Sequence, residues 1–594
     1  MTNLWLYLLD VMTISTRIYK SIQQGKVLTV FFVVTLVTDV HALPLNGGEL
    51  NKQVAIPFNH VSTRLIDKMG VKTTIPPDNM PNTNQSDKTI KIRSITIISA
   101  PEGSDYARVN NVIKRKIKSF LNKEISFQQL QKLTLDITEL YRENGALLTR
   151  VIIPQQDFYD GKVILTVIPG ALDEIVINNR SRINNDLIKS QIPKGLKFSD
   201  VIKKDDVDRY ALLLNEIPGT STQLHLFPGN NPGTTSIKLD IDETNRYSGM
   251  IMLDNYGNRT ISRERFIAES GVYSLAGLGD WLGLGLVASK GKGWVSSLSI
   301  DYSWLSGFDA SRLGIGYNRL DYKYYFLDNT FYGYSDTVNF QISQPVIRNS
   351  SSFATAYTAI SYSRMVDKYP WLFSVYGPSA EKTVSKWTTG FFLRGNFGRV
   401  GILGANLELV NGEVDYLNKA AEFWNGADLR RTGGYFYQLN SQIEHILEMN
   451  ARYIVRNSVT GMYSNKNIDS SQKFSAGGPL AVRGFDADEV MLDTGMTWKG
   501  EITRYVSVPA IENIAISGFY EYGYGKVNRK NKTASGESLT HNNTVGISSV
   551  GVGINIPSKS LGDYSLSWSH QMKKNIQLET SDKNRIWLSY SFKI

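Results

Sequence analysis

The chain contains no cysteine in 594 residues. A disulfide scaffold, a thiolate metal site and a cysteine nucleophile are thereby excluded. The absence suits a protein that meets the oxidising enzymes of a bacterial periplasm. Long apolar runs are also missing. No stretch reaches the roughly 18 residues from which a spanning helix is read. The six histidines, His41, His60, His225, His445, His541 and His570, are scattered without metal-ligand spacing. Charge of one sign is not concentrated either. Lys and Arg total 65 against 55 Asp and Glu, a formal charge of +10, yet no long block of like charge occurs. A nucleic-acid binder would gather its basic residues on one helix or face, so none is expected here. No phosphate-binding loop is present. Ser289-Lys-Gly-Lys-Gly293 lacks the closing Ser/Thr and sits between strand-like runs. Neither an enzyme nor a cofactor is expected.

What is abundant is aromatic and small. Tyr 31, Phe 24, Trp 10 and Gly 49 set against 18 prolines read as an all-β protein with aromatic girdles. The beginning of the chain reads as an address. Lys26 precedes an apolar run from Val27 to Val37, and Val40-His41-Ala42 loosely fits a cleavage site. A secretory signal over residues 1–42 is expected, followed by a candidate helix, Asn59 to Met69, and a polar linker, Pro76 to Asp87, within residues 43–88.

From Thr89 the pattern changes to small α/β modules. Ile92, Ile95, Ile97 and Ile98 make a strand. Val109, Val112, Ile113, Ile117 and Leu121 share one helical face. Ser126-Phe-Gln-Gln129 is a capping box that opens a second helix, and Asn144-Gly145 closes it. Strands Leu147 to Ile153 and Lys162 to Ile168 follow, giving β-α-α-β-β over residues 89–170. The same order returns over residues 171–243: strand Asp173 to Ile177, helices Asn185 to Gln191 and Asp205 to Asn215, then strands Ser221 to Phe227 and Ser236 to Ile241. Each module should leave a sheet edge free to accept an extended peptide.

Beyond Asn245 the helical period gives way to alternation. Trp294, Leu298, Ile300, Tyr302 and Trp304 share one face, with Ser297, Ser299, Asp301 and Ser303 on the other. Leu403 to Leu409 and Tyr564 to Trp568 repeat the pattern. The last run places Ile586, Leu588, Tyr590, Phe592 and Ile594 on one face, with Trp587 the exception on the other. The opposite face stays small and polar, and aromatics gather near strand ends, as in Tyr322, Tyr324, Tyr325 and Phe326. Both features favour a membrane barrel, apolar face to lipid and polar face to water. Lipid leaves no backbone group unpaired, so the sheet must close. At roughly 22 residues per strand and connection, residues 244–594 give about sixteen antiparallel strands. The expected fold is therefore α+β modules followed by a transmembrane antiparallel β-barrel.

These residues carry a family likeness. The chain resembles the two-partner secretion transporters (the TpsB group of hemolysin-activator and adhesin-secretion proteins) of the BamA-like superfamily. Tyr141-Arg-Glu-Asn-Gly145, Leu148-Thr-Arg-Val151 and Ile153-Pro-Gln-Gln-Asp157 look like the signature of a first polypeptide-transport-associated (POTRA) module. Leu214-Asn215, Pro218, Pro228-Gly229 and Pro232-Gly233 look like that of a second. Asp254-Asn255-Tyr-Gly257 resembles the family's opening of the barrel. The most specific match is Phe474-Ser-Ala-Gly-Gly478 followed by Val482-Arg483-Gly484-Phe485, which marks a long loop that folds back into the lumen in the family. The barrel-wall partner motif reads Phe519-Tyr-Glu521-Tyr-Gly523, with Glu where the family usually has Asp. The chain ends in Ile594 where the family usually ends in Phe.

The resemblance implies an outer-membrane transporter with periplasmic POTRA modules that moves an unfolded exoprotein to the cell surface. It implies as partners that cargo, outer-membrane lipid, and the barrel assembly machinery and periplasmic chaperones during biogenesis. An insertase of the same superfamily is the alternative, and a passive porin would not need the modules. Alternation alone sends Phe519, Glu521 and Gly523 into the lumen, where an inward carboxylate among small residues can take the fork of an arginine, Arg483.

Overall fold

The computed structural model describes residues 73–74 and 89–594, apart from 102–103, 260, 308, 327–328, 371–373, 375, 488, 509–510, 559 and 576–581. The expected signal over 1–42, the helix Asn59 to Met69 and the linker Pro76 to Asp87 lie outside the described residues.

The first module is built from β1 (Ser94–Ile98), α1 (Ser104–Lys118), α2 (Phe127–Glu143), β2 (Arg150–Ile152) and β3 (Lys162–Ile168). The sheet order is β1-β3-β2, with β1 parallel and β2 antiparallel to β3. Alternation along β3 buries Val163, Leu165 and Val167 against Ile113, Leu130, Leu133, Ile137 and Tyr141 of the helices. The capping box forms: Ser126 N–H donates to Gln129 Oε1 at 2.9 Å, and Gln129 N–H to Ser126 Oγ at 3.3 Å. Gly145 ends α2 at φ +94°, a conformation that disfavours any side chain.

Strand β2 is shorter than Leu147 to Ile153. Leu147 N–H donates instead to Ile202 O of the second module at 3.2 Å. After Ile152 the Gln156 side chain takes over the ladder, donating to and accepting from the backbone of Ile164, each at 2.7 Å. The sheet edge expected to be open is thus capped at Ile164 by an amide that mimics a peptide.

The second module comprises β4 (Ala171–Asn179), α3 (Asn185–Ser190), α4 (Lys204–Asn215), β5 (Thr220–Pro228) and β6 (Thr234–Glu243). Its sheet runs β5-β6-β4, and Thr73–Thr74 adds to β5 in parallel at Leu224 and His225. This edge too is occupied over part of its length. A backbone joint links the modules: Lys204 N–H donates to Gly145 O at 3.0 Å and Ile202 N–H to Gly170 O at 3.4 Å. Leu147 and Leu148 of the first module pack on the second core.

The rest closes into an antiparallel barrel of sixteen strands. They are β7 (Tyr247–Asp254), β8 (Arg265–Tyr273), β9 (Trp281–Lys290), β10 (Trp294–Leu305), β11 (Arg312–Phe326), β12 (Asn329–Arg348), β13 (Ser352–Lys368), β14 (Ser379–Asn396), β15 (Ile402–Tyr416), β16 (Gly434–Asn450), β17 (Tyr453–Ser464), β18 (Thr494–Val508), β19 (Ile511–Lys526), β20 (Thr544–Ile556), β21 (Asp563–Lys574) and β22 (Asn584–Lys593). Leu298, Ile300, Leu407, Leu409, Leu566, Ile586 and Leu588 are exposed on the outside, while Ser297, Ser299 and Ser569 are buried. A sheet with its apolar side outward has lipid as its solvent. β7 follows the modules, so it leaves from the periplasmic end and every second connection is extracellular.

The aromatics near the end of β11 divide between the two faces. Tyr325 is exposed, but Tyr322 and Tyr324 point inward and are buried. Tyr324 stacks on Phe331 with centroids 5.0 Å apart, and the Tyr322 hydroxyl donates to Asp367. Adjacent residues on one strand face opposite ways, so a run of aromatics cannot all lie in a girdle.

The second module sits against the periplasmic turns. Leu305 of β10 belongs to its core. Arg209 of α4 bonds Asp309 at 2.9 Å and the carbonyls of Pro345 and Val346. Glu216 pairs with Arg348 at 2.5 Å, and the arginine also donates to Ala354 O at 2.7 Å. Burial pushes the Glu216 carboxyl above its ordinary range, while the charge of Arg348 pulls it back.

Candidate functional site

Residues 465–493 leave the extracellular end of β17 and turn into the barrel. The tip, Val482 to Phe485, lies against the inner wall made by β18 to β22. Val482 and Phe485 are fully buried with Ala476, Val490, Leu492, Val545 and Ile547. This apolar clasp brings the tip to the wall and excludes water there.

Arg483 is the polar centre. Its Nε lies 2.6 Å from Glu521 Oε1, its backbone N–H donates to Glu521 Oε2 at 2.6 Å, and its terminal NH2 reaches Glu501 Oε2 at 3.0 Å. The guanidinium lies 3.3 Å from the Phe519 ring centroid. A cation over an aromatic face adds attraction where water is excluded. Ser549 Oγ donates to Glu521 Oε2 at 3.0 Å, so both oxygens of this fully buried carboxylate are used. The expected fork between one arginine and one carboxylate does not form. The guanidinium is shared between Glu521 and Glu501, and the longer glutamate arm reaches back to the loop backbone as well.

Small residues make the fit. A Cβ at Gly484 would come within 2.8 Å of Ser549 Cβ, and one at Gly523 within 3.2 Å of Val482 Cγ2. Gly551, opposite Phe519 in the ladder, would press a Cβ within 2.3 Å of the ring. Glycine on the wall therefore makes room for the loop and for the ring beneath Arg483.

The structure brings together Val482, Arg483, Gly484, Phe485, Phe519, Glu521 and Gly523, all singled out in the sequence. Several partners were not singled out. Glu501 faces inward opposite Phe519 on β18. The Arg483 carbonyl accepts from Ser569 Oγ at 2.6 Å and from Trp587 Nε1 at 2.7 Å, and Gln571 Nε2 donates to Gly484 O at 2.8 Å. Trp587 did leave a trace, as the one large apolar residue on the polar face of the last strand. Its ring is buried, and its N–H is spent on the loop.

The loop has a second anchor nearer the outside. Lys382 of β14 pairs with Asp469 at 2.8 Å, and Tyr416 donates to the same carboxylate at 2.9 Å. Burial alone would push the Asp469 carboxyl up. Lys382 and the bonds from Ser471 outweigh it and hold the group below the usual carboxylate range. Asn467 ties this stem to the neighbouring extracellular connections through Arg430 O and Lys530 O, each at 2.9 Å. Among the described residues no cluster of His, Asp and Glu is arranged to hold a metal ion.

Comparison with known proteins bears on this architecture. Residues 233–556, more than half of the chain, match the family model for haemolysin secretion/activation proteins of the ShlB/FhaC/HecB type. Residues 104–170 match a POTRA domain of ShlB type. The heme/hemopexin transporter protein HuxB of Haemophilus influenzae is 27% identical over 517 residues, covering 86% of this chain and 89% of that protein. The outer membrane transporter CdiB of Dickeya dadantii is 22% identical over 438 residues, 71% of this chain and 74% of that one. Among solved structures, CdiB from Escherichia coli shares the fold at TM-score 0.69 and 15% identity, over 93% of this chain and all of that one. The protein belongs to the haemolysin secretion/activation family and is an outer-membrane translocase of the two-partner secretion type, with POTRA modules in the periplasm.

Proposed function

We propose that this transporter takes an unfolded exoprotein of hemolysin or adhesin type on its POTRA modules and passes it through its own barrel, with residues 465–493 as the movable occupant of the lumen. The observation that carries the reading is the seating of Arg483. A loop that enters from outside fills part of the lumen, yet its tip is held to the wall by side-chain contacts and not by a strand ladder. Val482, Arg483, Gly484 and Phe485 form the loop side of this contact, and Phe519, Glu521 and Gly523 the wall side. Assembly machinery and chaperones act during biogenesis, and lipid surrounds the finished barrel. No step calls for a bound cofactor.

A second reading of the cargo has its own support. The relative at 27% identity is named a heme/hemopexin transporter, which favours an exoprotein concerned with haem. Deleting the gene and comparing secreted proteins decides between them. Loss of one large surface protein identifies the cargo, and growth on haem or hemopexin then assigns its class. An unaltered secreted profile, with outer-membrane proteins depleted instead, would favour an insertase.

A further inference from the structure

The barrel closes between its first and last strands, and that junction is the shortest of all. The β7–β22 ladder has five residue pairs, Met250 opposite Lys593 to Asp254 opposite Ser589, while each flanking junction has eight. Backbone bonds continue the seam past both ends of the ladder, between Gly249 and Ile594 at one end and from Asn255 N–H to Leu588 O at 3.2 Å at the other, where the side chain of Asn255 adds two more. Its Nδ2 donates to Ile586 O at 2.9 Å, and its Oδ1 accepts from Leu588 N–H at 2.8 Å.

Asp486, next to the anchored tip, sits over this seam from inside. One Asp486 oxygen lies 3.0 Å from Arg263, in the connection from β7 to β8. The other lies 3.3 Å from Arg585 Nε on β22. Asp486 and Arg585 are both buried. A single carboxylate therefore bridges a cation on each side of the junction. Trp587 repeats the bridge: its N–H holds the Arg483 carbonyl, and its ring meets Tyr256, after β7, edge-on at 5.9 Å.

We propose that Asp486 is a positioning residue that staples the seam from the lumen, so that seating Arg483 and holding the barrel shut are one event. Withdrawal of the loop would take Asp486 from between Arg263 and Arg585, and Glu489 from Arg585, and so end the bridge across the shortest junction. The seam would loosen at its extracellular end when the lumen opens. The proposal rests on the loop occupying the lumen, and not on which cargo passes.

The absence of native cysteine makes a direct test possible. Met252→Cys with Ser591→Cys places two thiols on facing positions of the seam, and Gln442→Cys with Thr460→Cys does the same at the β16–β17 junction. Close pairs across an antiparallel ladder can be oxidised to a disulfide. Full-length protein in outer membranes is oxidised without cargo, and cross-linked barrel is quantified on non-reducing gels. Asp486→Asn should lower the seam yield several-fold and leave the control junction unchanged. Arg483→Ala should do the same, and Asp486→Glu should recover most of the loss. A seam yield equal to the parent in Asp486→Asn or Arg483→Ala overturns the proposal. If Asp486→Asn does not assemble, Arg263→Gln replaces it with the same two outcomes, because it removes only the link to the β7–β8 hairpin. Either result leaves the secretion reading standing, since no cargo is involved.

Discussion

Arg483 separates the energetic roles of its neighbours. Its charge is balanced twice, by Glu521 and by Glu501, and its backbone is held by Ser569 and Trp587. Removing one partner of a shielded pair strands the other, at about 3–5 kcal/mol where water is fully excluded. Arg483→Ala should therefore sharply reduce secretion while the barrel still inserts, read as exoprotein in the medium against heat-modifiable barrel in the membrane. Glu521→Ala should resemble it, and the double variant should be no worse than either single. Strictly additive losses would mean that the two residues act separately. Glu521→Asp is the finer probe. The shorter arm cannot keep both the Nε bond and the backbone bond, so secretion should fall part of the way. The acid on β19 was legible from alternation and the motif. The sharing with Glu501 was not, because pairing across neighbouring strands depends on register, which the sequence leaves open.

At the level of elements, local signals served best where one turn of chain decides the outcome. The capping box at Ser126 and the stop at Gly145 are such cases. Strand β2 was overestimated because a backbone donor of Leu147 is claimed by the other module, a long-range fact without a local mark. The same holds for the edge of the second module's sheet, where Thr73–Thr74 arrives from far along the chain. The dock between module and barrel is of this long-range kind too. Glu216→Ala would leave Arg348 buried without its acid, although carbonyls still bind the guanidinium. We expect a cost of about 3 kcal/mol, the lower end for a broken buried pair. Spin-label distances between α4 and a periplasmic turn should then broaden. An unchanged distribution would show that Leu305 and Arg209 hold the module by themselves.

For the molecule as a whole, the apolar face of the strands was readable as lipid-facing because the opposite face is so consistently small and polar. Class and strand number followed from that contrast and from length. The filling of the lumen was less visible, since the loop is polar in composition and betrays itself only through its motif. Removing Ala481 to Asp493 should raise the conductance of the barrel in planar bilayers and suppress its fluctuations. A trace identical to the parent would place the loop outside the lumen.

The tip of that loop touches a contiguous part of the chain. Apart from Arg263, the wall partners of residues 482–486 described above all lie on β18 to β22. Residues 465–594 can therefore form the seat and fill it before the first eleven strands are in place. During insertion the loop would act as a mould, holding the last five strands at their final curvature. The β7–β8 hairpin would then arrive last, with Arg263 meeting a carboxylate already in position. Biogenesis would then end with the same contact whose release begins secretion.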